Sequence, residues 1–145
     1  MTGPPRRVVL DTNAVLDWLL FDGPGVQPMK TAVRQGHLLP ITNDACFAEL
    51  ERVLQYPKLR LDEAPRAAVL AAYRTAAQWI DAAAGEDVPR CRDRDDQKFL
   101  DLAAAARVDF LVTRDARVLA MARRMEKRFG VLVVMQEGLN DILRA

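Results

Sequence analysis

Val8-Val9-Leu10-Asp11-Thr12-Asn13 is the stretch that decides how the rest of the chain is read. An apolar run led by two β-branched residues, with no polar alternation, reads as a strand buried on both faces, as in a parallel sheet. It stops at a carboxylate. Thr12-Asn13 can cap a helix that continues through Ala14, Val15, Trp18 and Leu19, which are apolar at helical spacing. Asp22-Gly23-Pro24-Gly25 breaks that helix.

The same pattern returns further along. Phe110-Leu111-Val112 is a second buried run, closed by Thr113-Arg114-Asp115, and Val131-Leu132-Val133-Val134 is a third. His37 to Ile41 is a weaker strand, in which Pro40 calls for an edge or terminal position. Between the strands the spacing predicts helices over Met29–Gln35, from Thr42-Asn43-Asp44 to about Gln55, and from about Asp62 to Ala84. Further helices are expected from Asp95 or Asp96 to Arg107, over Ala116–Arg128, and over Glu137–Arg144. Val88 falls in a short extended piece. Strands alternating with helices imply an α/β protein, a three-layer α/β/α sandwich around a mostly parallel sheet. With 145 residues and no internal repeat or linker, one domain spanning 1–145 is expected.

Composition narrows the chemistry. The chain is 50% hydrophobic and 28% charged, with 21 Lys+Arg against 20 Asp+Glu and a net charge of +1. That balance excludes a uniformly basic nucleic-acid coat but not local patches. There is one histidine, His37, and no serine, so a serine nucleophile and a two-histidine acid–base pair are both excluded. Cys46 and Cys91 cannot complete a four-ligand zinc site even with His37. The opening Met1-Thr2-Gly3-Pro4-Pro5-Arg6-Arg7 lacks the apolar core of a signal peptide, and charge interrupts every apolar run short of membrane-spanning length. A soluble cytoplasmic protein with no membrane partner is expected; if it is an enzyme, its chemistry rests on carboxylates, a metal, or both.

Open parallel sheets bind ligands beyond the C-terminal ends of their strands. Asp11 and Asp115 follow two of the clearest strands, where each can also serve simply as a helix cap. Glu49 borders the apolar stripe of Cys46, Phe47, Leu50, Val53 and Leu54, either as a site residue or as a solvated, snorkelling side chain. Asp96 heads the face formed by Phe99, Leu100 and Ala103. Asp93, just before that helix, can support Asp96 or cap the N-terminus. The four acids Asp11, Glu49, Asp96 and Asp115 are thus expected at one sheet edge. Like charges ~4 Å apart repel by about 4 kcal/mol at an effective dielectric of 20. A cluster of this kind calls for a hard divalent cation, and oxygen-only ligation favours Mg²⁺ or Mn²⁺ over zinc.

Read together, these segments resemble the motifs of the PIN-domain nucleases. Asp11-Thr12-Asn13 after the first strand resembles the opening motif, and Phe47-Ala48-Glu49-Leu50-Glu51-Arg52-Val53-Leu54 the second. Asp93 through Ala103, with Asp96 in the catalytic place, resembles the third, and Leu111-Val112-Thr113-Arg114-Asp115 the fourth. The resemblance covers nearly the whole chain and is closest to the VapC-like toxins of toxin–antitoxin systems. Arg114 departs from the Gly frequent in that branch, and Met135 to Leu139 lacks its usual Pro and Phe; neither change removes a metal ligand.

The resemblance implies that Asp11, Glu49, Asp96 and Asp115 hold Mg²⁺ or Mn²⁺, with Asn13, Thr113 and Asp93 in support. It also implies cleavage of single-stranded RNA, a homodimer, and a cognate antitoxin. A metal-activated water requires neither serine nor a second histidine. Arg92, Arg94, Arg114 and Arg117 flank the acids and are the candidate RNA contacts, with Arg52, Lys58 and Arg60 after the Glu49 helix as further phosphate ligands. Trp18 and Trp79, both placed on helices, read as core or interface.

A haloacid-dehalogenase-type phosphatase also begins with Asp after a first strand, but needs a second Asp where this chain has Asn13. The non-enzymatic alternative is a PIN-like module that binds RNA or an antitoxin without cutting.

Overall fold

The computed structural model describes residues 3–81, 85 and 87–145. Among the described residues, five strands form one sheet: β1 (Arg6–Leu10), β2 (Leu38–Thr42), β3 (Gln78–Trp79), β4 (Phe110–Val112) and β5 (Leu132–Val134). Their order is β3-β2-β1-β4-β5 and every pairing is parallel. The helices are α1 (Thr12–Leu16), α2 (Gln27–Arg34), α3 (Asp44–Leu54), α4 (Glu63–Ala76), α5 (Gln97–Ala106), α6 (Ala116–Leu119), α7 (Ala122–Phe129) and α8 (Gln136–Arg144).

The uninterrupted apolar strands have the cause inferred from sequence: both sheet faces are covered. Val8, Leu10, Phe110 and Val112 pack on one face with Val15, Phe47, Leu50, Tyr73 and Leu139. Val9, Ile41, Leu111 and Val133 pack on the other with Phe99, Leu100, Val118 and Met125. Period-two alternation therefore sends successive strand residues into two separate cores. This is the α/β sandwich expected, with a sheet that is parallel throughout.

Several boundaries differ from the sequence reading. Pro40 lies in β2, which has neighbours on both sides, yet β3 pairs only with Ile41 and Thr42. Pro40 therefore flanks an open stretch of edge, where its missing N–H leaves no ladder bond unmade. The helix expected to run from Asp62 to Ala84 ends at Ala76, and Ala77 turns extended. Residues 82–84 lie outside the described residues. Trp79 is consequently on a strand, its ring 5.0 Å from Phe47 and its indole N–H donating to Asp44 Oδ1 at 2.9 Å. Strand pairing and this ring contact outweigh the helix preference of an alanine-rich segment.

Trp18 belongs to the core, edge-on to Tyr73 at 6.1 Å, so it offers no interface. The helix expected over Ala116–Arg128 is two, because the chain tightens where the Met121 N–H bonds the Val118 carbonyl three residues back. Beyond α1, residues Asp17–Phe21 continue as a wider π-helical turn that ends at Asp22 in the left-handed conformation, φ 48°. No described helix is long and apolar enough to cross a membrane.

Candidate metal centre

Strand order reverses between β1 and β4, since the chain proceeds from β1 outward to β2 and β3, then returns to β4 and β5. This topological switch leaves a crevice at the carboxyl ends of the two central strands. Asp11 leaves β1 there and Thr113 leaves β4. The Thr113 hydroxyl donates to Asp11 Oδ2 at 2.8 Å and accepts the Asp115 N–H at 3.0 Å. Asp11 Oδ1 accepts the Ala14 N–H at 2.8 Å, so Asp11, not Thr12 or Asn13, caps α1. Burial pushes the Asp11 carboxyl above its ordinary pKa, while the Ala14 amide and the Thr113 hydroxyl act in the opposite direction.

Carboxylate oxygens of Asp93, Asp96 and Asp115 all lie within 4.8 Å of one another. Asp93 caps a 3₁₀ turn, Arg94–Asp96, by accepting the Asp95 N–H at 3.0 Å. Asp96 then starts α5, and its Oδ2 is buried with no hydrogen-bond partner. Burial, then the adjoining Asp115, raises the Asp96 pKa to about 7. Asp115 moves the other way, held down chiefly by Arg117, whose guanidinium bridges Asp93 Oδ2 at 3.1 Å and Asp115 Oδ2 at 3.2 Å.

The four acids expected at the site are therefore divided. Asp96 and Asp115 come together with Asp93, which sequence reasoning placed in support. Asp11 joins them through the shared Thr113 hydroxyl. Glu49 lies outside the cluster: its Oε1 takes Lys98 Nζ at 2.6 Å and its Oε2 accepts the Thr12 hydroxyl. Thr113 makes the hydrogen bonds of a supporting residue, whereas exposed Asn13 makes none to these acids among the described residues.

Arg114 pairs with Asp17 at 2.9 Å, and Arg117 is bound to the acids themselves. Arg92 and Arg94 are exposed and make no ion pair among the described residues. Lys98 and Thr12 were not singled out as site residues by sequence. Lys98 and Glu49 are 49 positions apart, so no local periodicity relates them.

A cleft of about 570 Å³ is lined by Thr12, Asn13, Glu49 and Asp95, the last next in sequence to Asp96. Cys46, buried within α3, has its thiol pushed up to about 12 by burial and stays protonated, so the donor set is oxygen alone. A buried, unpartnered carboxylate oxygen within a three-acid cluster fits a hard divalent cation.

A family model of the PIN domain matches residues 7–117. The chain belongs to the PIN-domain family. PIN domains are generally nucleases that use a divalent metal, and this PIN domain carries an acidic group able to hold one where its strands end. No curated protein matches the chain.

Proposed function

We propose that this PIN domain is a Mg²⁺- or Mn²⁺-dependent endoribonuclease that hydrolyses single-stranded RNA. The observation that carries the reading is Asp96 Oδ2, buried without a partner among three clustered carboxylates at the switch point of the sheet. Asp93, Asp96 and Asp115 would hold the cation, with Asp11 anchoring the cluster through Thr113. When bound, the cation supplies Lewis acidity for the attacking water and for the leaving oxygen. Arg92 and Arg94 draw the phosphodiester toward the acids. Lys98 pairs with Glu49 at 2.6 Å and so offsets that carboxylate's repulsion of the RNA phosphates.

The resemblance of the four motifs to VapC-like toxins supports a toxin role, with a cognate antitoxin as protein partner, a cytoplasmic location and a homodimeric state. Induced expression should arrest growth of a bacterial host, and Asp96→Asn should relieve the arrest. The alternative, a catalytically weak module that binds RNA or an antitoxin without cutting, draws on Arg117 and Lys98, which already pair with site carboxylates.

One experiment separates the two. Single-stranded RNA is incubated with wild type, Asp11→Asn and Asp96→Asn in Mn²⁺ or Mg²⁺. The nuclease reading expects 5′-phosphate products from wild type alone. A 2′,3′-cyclic phosphate product, full activity in excess chelator, or identical behaviour of all three proteins would sink it.

A further inference from the structure

Two aromatic rings on this chain are exposed without a packing reason. Phe21 is 58% exposed and Tyr56 46%, and both line the cleft of Thr12, Glu49 and Asp95. Trp79 provides the contrast: its exposed ring rests on Phe47, stacks under Arg74 and bonds Asp44. Phe21 and Tyr56 have no aromatic, cationic or hydrogen-bonding side-chain partner among the described residues.

Their backbones are nonetheless held. Phe21 ends the turn closed by left-handed Asp22, whose carboxylate is tied to Lys30 at 3.0 Å. Tyr56 donates its N–H to the Val53 carbonyl at 3.0 Å and precedes Pro57, which restricts its backbone. Exposed rings on held backbones present flat apolar surface with less of the chain left to order on binding.

The same cleft carries charge of both signs. Glu49 and Asp95 line it together with Arg52 and Lys58, and with Arg114, which is tied to Asp17. Neither Arg52 nor Lys58 makes an ion pair among the described residues, and both are exposed.

We infer that this cleft is a binding track for single-stranded RNA, in which Phe21 and Tyr56 stack on unpaired bases while Arg52 and Lys58 take the intervening phosphates. The inference rests on the nuclease reading for the identity of the polymer, and adds the side chains that select a single strand. Stacking faces suit a polymer whose bases are free, and a duplex has its bases stacked on one another. Arg52 and Lys58 are distinct from Arg92 and Arg94, which neighbour the acids in sequence. A strand lying on the aromatic pair would share the cleft with Asp95, the residue next to Asp96.

The test is fluorescence anisotropy in chelator with three probes: a labelled single-stranded RNA of about 10 nucleotides, a copy with central abasic riboses, and a hairpin duplex. Phe21→Ala and Tyr56→Ala should each weaken binding of the intact strand by roughly ten- to a hundredfold, and Tyr56→Phe should bind like wild type. The abasic copy should bind weakly to wild type and be insensitive to the alanine variants. Arg52→Gln should flatten the salt dependence by about one phosphate contact while the aromatic variants leave it unchanged.

Alanine variants that bind like wild type, or abasic RNA that binds as well as intact RNA, overturn the inference. Absence of single-strand binding by wild type also overturns it and leaves the pair as a protein-docking face. Cleavage in Mn²⁺ is scored separately. Aromatic-dependent binding without cleavage sustains the track and sinks the nuclease reading. Cleavage that is indifferent to Phe21 and Tyr56 does the reverse.

Discussion

The Thr113 hydroxyl donates to buried Asp11 Oδ2 at 2.8 Å while it accepts the Asp115 N–H at 3.0 Å. One small side chain thus locks the ends of the two central strands together and fixes Asp115 relative to Asp11. Replacement by Val keeps the volume and branching but removes both bonds. Thr113→Val should destabilise the fold by about 1–3 kcal/mol, because Asp11 Oδ2 loses its donor inside the protein. Thermal denaturation should show a Tm lower by roughly 3–10 °C, with Thr113→Ser restoring most of it.

Asp96→Asn separates stability from function. Removing one of three clustered carboxylates relieves repulsion, so the variant should melt no lower than wild type in chelator. The upward Tm shift that Mn²⁺ gives the wild type should disappear, because ligand binding to the folded state alone is what produces it. RNA cleavage should fall about 100-fold or more. A variant that keeps the Mn²⁺-dependent shift would remove Asp96 from the cation set.

The same carboxyl predicts a pH dependence. Its pKa rises from the ordinary 3.8 to about 7 on folding without a cation, chiefly by burial and then by Asp115. The folded state therefore holds the proton more tightly than the unfolded chain. The resulting contribution to stability is complete below pH 3.8 and is lost as pH climbs through about 7. Chelated wild type should lose Tm relative to Asp96→Asn over that interval. Mn²⁺ affinity should run the opposite way, weakening by about tenfold per pH unit below 7 as the proton competes for the site.

Lys98 and Glu49 form a largely buried pair, with side chains 19% and 14% exposed. Lys98→Met would leave Glu49 with only the Thr12 hydroxyl. The apoprotein should lose about 1–3 kcal/mol, somewhat less than the cost of breaking a fully buried pair. Calorimetric titration with Mn²⁺ should then show tighter or additional binding, as a freed carboxylate becomes available to the cation. Unchanged binding would show that Glu49 is too far from the cluster to serve it.

Asn43 caps α3 by accepting the Cys46 N–H at 2.9 Å, directly after β2 ends. It sets the angle at which α3 carries Glu49 toward Lys98. Asn43→Ala should cost about 0.5–2 kcal/mol in chemical denaturation, as loss of an N-cap does. Asn43→Asp should be close to neutral.

Much of this was legible without coordinates. Val8-Val9-Leu10 and Phe110-Leu111-Val112 have no polar face, and only a sheet covered on both sides accommodates that. Asp11 follows such a strand directly and Asp115 comes three residues after another, so their place at the carboxyl edge follows from chain connectivity. The absence of serine and the single histidine excluded a serine nucleophile and a two-histidine pair and turned attention to the acids. These are properties of residue order and type, which periodicity and covalent linkage carry unaided.

What only the tertiary structure decided is which of those groups meet. Alanine-rich sequence favoured a longer helix, yet β2 offered an open edge that Gln78 and Trp79 filled. Glu49 pairs with Lys98 while its charge still reaches Asp96, and Asp93 meets Asp96 and Asp115. Phe21 and Tyr56, far apart in sequence, line one cleft. Helical spacing tells which face of an element is buried. The register at which two elements pack comes from the shape of both cores at once, and that register decides which distant side chains meet.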